Sequence, residues 1–152
     1  MSLREKLSSS LKSAMKNKES TRLSTLRLIM AAVKDKDIAL RGEGRTDGAG
    51  DAEVLAILAK MVKQRHESAR SYEEAGRLEL AEQELAEISV IEGFLPQQMS
   101  DAEIAKAISA TIEHTDAQSI RDIGKVIGHL KSKYAGQMDF GRVGPMVKDR
   151  LA

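Results

Sequence analysis

The stretch Asp51-Ala52-Glu53-Val54-Leu55-Ala56-Ile57-Leu58-Ala59-Lys60-Met61-Val62 decides the architecture. Val54, Leu55, Leu58, Met61 and Val62 recur at three- and four-residue steps, which places them on one face of a helix. The pattern reaches Tyr72, and Gly76 then occupies a position suited to the left-handed residue that closes a helix. Asp51 is the expected cap at its start. A helix of this length needs partners for its apolar stripe, and the flanking sequence supplies them.

Upstream, Leu3, Leu7, Leu11 and Ala14/Met15 predict a first helix from about Ser2 to Lys16. Leu23, Leu26, Ile29/Met30 and Val33 predict a second, from about Glu19 toward Leu40, with Arg22, Arg27, Lys34 and Lys36 on its other sides. Between the second and third helices, residues 42–50 hold four glycines and are expected to form a mobile loop. That loop lacks a Gly-Lys-Ser/Thr ending and follows no strand, so it is not a phosphate-binding loop. Downstream, a fourth helix from about Leu78 to Glu92 turns Leu78, Ala81, Leu85, Ile88 and Ile91 inward. Glu79, Glu82, Glu84, Glu87 and Glu92 lie outside.

Gly93-Phe94-Leu95-Pro96 is the main punctuation, because proline disfavours helical geometry at the residue before it. It predicts an N-terminal module over residues 1–93 and a C-terminal domain over 94–152. In the latter, Ser100-Asp101-Ala102-Glu103 reads as a capping box opening a helix with Ile104, Ala107, Ile108 and Ile112. Ser119-Ile120-Arg121-Asp122 is a similar start, leading to Ile123, Val126, Ile127 and Leu130. A last helix after Asp139 carries Val143, Met146, Val147 and Leu151. Pro145 inside it costs about 3 kcal/mol, so this helix is expected to bend there or to start late with Gly144 as cap. The fold class is all-α: a four-helix module of two long hairpins, then a compact unit of about three short helices.

Composition narrows the chemistry. Hydrophobic residues make up 41% of the 152 and aromatics only 3%, so the core must be aliphatic. The absence of Cys excludes disulfides, thiolate metal sites and cysteine nucleophiles. No apolar stretch approaches the roughly 18 residues that span a bilayer, and the charged N-terminus lacks a signal peptide's apolar block. A cytosolic location with no membrane partner is the expectation. The net charge of +1 conceals a segregation: +6 over residues 1–41, −6 over 42–93 and +1 over 94–152. Either the first two segments pack with complementary surfaces, or the basic one faces a polyanion.

Reactive constellations are not evident. His66, His114 and His129 are far apart in sequence, and His66-Glu67 lacks the second histidine of a zinc-binding helix. No Gly-x-Ser-x-Gly elbow occurs, and the glutamates of the fourth helix read as a solvated face. No catalytic residue, cofactor, metal or small-molecule substrate is expected.

One run carries more than periodicity. Lys60-Met61-Val62-Lys63-Gln64-Arg65-His66-Glu67-Ser68 leads into Tyr72-Glu73-Glu74-Ala75-Gly76-Arg77, then Glu79-Leu80-Ala81-Glu82-Gln83-Glu84 and Phe94-Leu95-Pro96-Gln97-Gln98-Met99-Ser100. With Thr25 through Lys34 upstream and Asp122-Ile123-Gly124-Lys125-Val126 downstream, the chain resembles the GatB/YqeY family over nearly its whole length. It departs from the usual pattern at Pro145 and at Ile127, where methionine is common. The resemblance implies an all-α fold divided at Phe94-Leu95-Pro96. It also implies relatedness to the tail of the GatB subunit of a glutamine-dependent tRNA amidotransferase, where the tail is associated with tRNA recognition. The carbon–nitrogen ligase chemistry belongs to other parts of that complex, so the chain alone is expected to be a non-catalytic accessory protein. Its implied partners are tRNA and an aminoacyl-tRNA synthetase or amidotransferase subunit.

For RNA, Lys125, Lys131 and Lys133 of the sixth helix, with Arg142, Lys148 and Arg150 of the last, are the contact candidates, because cations neutralise phosphates. Backbone donors at the helix start near Ser119 would add to them. Few aromatics are present, which favours backbone or shape recognition over base stacking. Gly124 is expected to allow close helix packing. The alternative is a protein-interaction adaptor that docks a partner through the charged N-terminal module.

Overall fold

The structure, a computed structural model, describes residues 2–152. It is all-α: seven α-helices and one 3₁₀ turn, with no strand among the described residues. The chain forms two compact units, residues 1–95 and 96–152.

In the first unit, α1 (Leu3–Lys16) pairs with α2 (Ser20–Gly42), and α3 (Asp51–Glu74) with α4 (Leu78–Glu92). Ser2 and Glu5 form a reciprocal capping box at the start of α1. Leu3, Leu7, Leu26, Ile29, Val33, Leu40, Val54, Leu58, Met61 and Ile91 build the aliphatic core, with Phe94 and Leu95 packed on its edge. Fully burying one such side chain stabilises by about 1.5–3 kcal/mol. The stripe of α3 contributes to this core as far as Met61 and the partly buried Val62. Beyond it, α3 and α4 continue as a two-helix arm whose buried residues are the small Ala69 and Ala81 together with Ile88.

Four expectations change here. Asp51 is not the cap of α3 but its first residue, and its carboxylate accepts the backbone N–H of Leu3 at 3.1 Å, serving the start of α1 instead. Glu53 accepts the Gly50 N–H at the start of α3. Leu78 and Leu85 are exposed, because neither α1 nor α2 extends along the arm to cover them. The glycine-rich segment is tied down rather than loose. Asp37 of α2 takes both guanidinium nitrogens of Arg4 at 2.9 Å and the backbone N–H of Ala49 at 2.8 Å. Arg45 meanwhile pairs with Glu53 at 2.7 Å.

Gly76 behaves as expected. At φ +73° it closes α3 in a Schellman motif, with the Arg77 N–H donating to the Tyr72 carbonyl and its own N–H to that of Glu73. Lys18 adopts the equivalent position after α1 at φ 56°, without glycine's freedom.

The second unit comprises α5 (Asp101–Thr115), a 3₁₀ turn (Ile120–Asp122), α6 (Ile123–Lys133) and α7 (Phe140–Leu151). Ser100 and Glu103 form the expected capping box. Ile104, Ile108, Val126, Leu130, Met138, Val143, Val147 and Leu151 make its core. Its last helix does not start late. Asp139 caps it by accepting the Gly141 N–H at 2.9 Å, and the helix runs through Pro145. The burial of Val143, Val147 and Leu151 on one stripe outweighs the missing donor. Gly124 faces open space. The glycine near a neighbouring helix is Gly144, where an added Cβ would lie 3.8 Å from Ile127.

Two outcomes are expected from these contacts. The Arg4 guanidinium, and next the Ala49 N–H, hold the Asp37 carboxyl below its usual range. Its stabilisation is therefore present above the unfolded-chain value and lost as pH falls through the folded one. Asp37→Asn should lower the melting temperature by a few degrees at neutral pH, and the gap to wild type should begin to narrow below about pH 4, closing only at lower pH. Pro145→Ala should stabilise the second unit by about 1–3 kcal/mol in urea unfolding, because it restores a helix donor.

Candidate nucleic-acid interface

The side chains proposed for RNA contact all lie in the second unit and are all exposed. At about 100° per residue, Lys125, His129 and Lys133 follow one another along one side of α6, whereas Lys131 projects from a different side. Lys131 places its Nζ 5.9 Å from the centre of the Phe140 ring at the start of α7. Lys133 lies 5.5 Å from the centre of the Tyr134 ring. Two of the expected cations are thus brought to the half-buried aromatics of the α6–α7 connection, a pairing that residue counts concealed.

The remaining candidates are not gathered there. Arg142 reaches α5 and pairs with Asp101 at 3.4 Å, both side chains being largely exposed, so the pair adds little stability. Arg150 also turns to α5 and donates to the Ser109 hydroxyl. Lys148 is exposed on α7. Near Ser119 the Asp122 carboxylate accepts the backbone N–H groups of Gln118 at 3.0 Å and Ser119 at 3.4 Å, the two residues before the turn. Those two bonds, in that order, lower the Asp122 pKa, with smaller help from Lys125. The Asp122 charge opposes an external anion at this helix start.

Sequence reading also missed a contact between histidines. His114, in the last turn of α5, and His129, midway along α6, stand with ring centroids 5.0 Å apart and planes inclined by 41°. The signal lay in the turn between the helices, which folds α6 back on α5. No cluster of three or more His, Asp or Glu with the arrangement of a metal site occurs among the described residues.

The glutamates of the arm are less uniformly solvated than expected. Glu87 pairs with Arg65 of α3 at 3.1 Å, with both side chains only about one-seventh exposed. Burial first, and the neighbouring Glu87 charge second, raise the Glu84 pKa against the opposing pull of Arg65. The depressions on the arm are shallow and open. One is lined by Gln64, Glu67, Ser68, Ser71 and Tyr72, the other by Gly76 through Leu80.

On the first unit, α2 presents Arg27 and Lys34 on one exposed side, with Leu28 and Ile38, 47% and 54% exposed, beside them. Arg22 is occupied, its guanidinium lying 5.7 Å from the centre of the Phe94 ring.

The two units define a class of small all-α proteins with aliphatic cores and their charge on the outside. The sequence profile of the Yqey-like protein family matches residues 4–151, and the chain belongs to that family. Among curated relatives, the chain is similar to "Altered inheritance of mitochondria protein 41, mitochondrial" from three fungi. For Pyrenophora tritici-repentis the identity is 25% over 87% of this chain and 71% of the relative. For Lachancea thermotolerans it is 30% over 68% and 54%, and for Clavispora lusitaniae 34% over 65% and 56%. The chain thus spans between about half and seven-tenths of the length of these relatives.

Their names correct the cytosolic placement, since these relatives are mitochondrial proteins by description. The inference failed for a physical reason. Lack of an apolar block bears on secretory signals, whereas mitochondrial leaders are amphipathic and basic and need no such block.

The raised Glu84 pKa yields a signed expectation. The carboxylate destabilises the fold when ionised, and the penalty grows as pH rises through the unfolded-chain value. Glu84→Gln should therefore melt a few degrees above wild type at pH 7, with the difference vanishing below about pH 4.

Proposed function

We propose that this chain is a non-catalytic accessory protein that binds RNA, with tRNA the expected class, through the α6–α7 side of its second unit. The observation that carries this reading is the placement of Lys131 and Lys133 beside Phe140 and Tyr134, with Lys125 further along α6. Lysines supply the sequence-independent attraction to phosphate. The aromatic edges at the same place offer an apolar contact to a sugar or base, although their partial burial keeps backbone recognition dominant. With no ionisable side chain in either core, an exterior that holds a charged partner is the use this architecture favours.

A second reading has its own support. The mixed basic and apolar side of α2, formed by Arg27, Lys34, Leu28 and Ile38, suits a protein partner such as a synthetase or amidotransferase subunit. The relatives' name concerns inheritance of mitochondria, a role that either an RNA contact or an adaptor contact could serve.

Fluorescence anisotropy with labelled total tRNA separates the two readings. Affinity should fall as salt rises, with a slope of about 0.7–0.9 per phosphate contacted. Replacing Lys125, Lys131 and Lys133 by Glu should weaken binding by more than about tenfold at low salt while leaving the helical circular dichroism unchanged. Absence of tRNA binding at low salt overturns the RNA reading. Recovery of a protein partner that is insensitive to those changes but lost on Arg27→Glu with Lys34→Glu supports the adaptor.

A further inference from the structure

We propose that His114 and His129 form a two-imidazole site for a first-row transition dication of the zinc–copper kind, bridging α5 and α6. Their centroids lie 5.0 Å apart with the planes inclined by 41°. With metal–nitrogen bonds of about 2.0–2.1 Å, two imidazoles at a tetrahedral angle place their ring centres about 5 Å apart. The observed centroid spacing matches that separation, so one ion fits between the rings once their nitrogens turn toward it. Imidazole nitrogen suits zinc, nickel and copper, and affinity rises along the divalent series toward copper.

The two ligands are held differently. His129 is half-buried midway along α6, whereas His114 is exposed in the last turn of α5. The helix thus fixes one ring, and the other has room to adjust. The negative end of the α5 dipole favours a cation at His114. Glu113 precedes His114 and Asp116 follows it, both favouring a dication, while Lys125 and Lys133, one turn either side of His129, oppose it. The coordinate bonds of the imidazoles must therefore supply the affinity. Two protein ligands leave the other positions to water or to an incoming donor, so the ion is exchangeable rather than structural.

The test is titration of the full chain with zinc and then copper, followed calorimetrically, by histidine ring NMR under zinc, and by thermal unfolding. One equivalent should bind, moving the His114 and His129 signals together and leaving His66 in place. His114→Gln and His129→Gln should each lower the apparent affinity by more than about tenfold, and His66→Gln should not. The ion should raise the melting temperature of wild type but not of the two variants, since it binds the native arrangement. Binding of neither ion overturns the proposal. So does binding that survives both single variants, or that perturbs His66 equally. If His129→Gln proves unstable, the exposed His114→Gln decides alone.

Discussion

Both units are held by aliphatic interiors, with no ionisable side chain fully buried among the described residues. Among the described residues the buried polar side chains are Thr25 and Thr111, and the Thr25 hydroxyl donates to the Thr21 carbonyl of its own helix at 2.8 Å. An interior of this kind gains stability from area removed from water and avoids the cost of desolvating charges. It also gives up the means by which proteins shift proton affinities far from their usual values. The helices are the frame that decides which exposed groups meet.

That frame is secured at its ends by a few polar contacts. Asp37 joins α2 to Arg4 of α1 and to the loop at Ala49, while Asp51 at the start of α3 satisfies the first N–H of α1. Three separate segments are thereby registered at one end of the first unit. Along the α3–α4 arm, the Arg65–Glu87 pair stands where the buried apolar stripe has run out. In the second unit, Ser100, Asp122 and Asp139 each hold a helix start with their own side chain or its partner.

Much of this was legible because helical periodicity and capping are local. The stripes through Leu26 and Val54 and the boxes at Ser100 and Asp122 need only neighbouring residues to be recognised. What escaped was relational. Leu78 and Leu85 match an inward stripe as well as Ile88 does, yet their exposure depends on how far other helices extend. Asp51 has the chemistry of a cap, but which helix it serves depends on where α1 begins. Pro145 was weighed by its local cost, which three buried residues on the same helix offset. The meeting of His114 with His129, and of Lys131 with Phe140, likewise follows from how α5, α6 and α7 pack. Candidate cations could be named from sequence, but their grouping could not.

The charge segregation finds part of its answer in the ion pairs. Arg4 pairs with Asp37 inside the basic stretch, while Arg45–Glu53 and Arg65–Glu87 fall inside the acidic one. None of these three neutralises one stretch with the other. Exposed Lys12, Lys16, Arg27 and Lys34 keep their charge on the α1–α2 side, and Glu79 and Glu82 keep theirs on the arm. Had complementary packing been the purpose of the asymmetry, its charges would meet at the α2–α4 contact. Because they remain in solvent, one helical module carries a basic side and an acidic side, and salt would weaken both fields together.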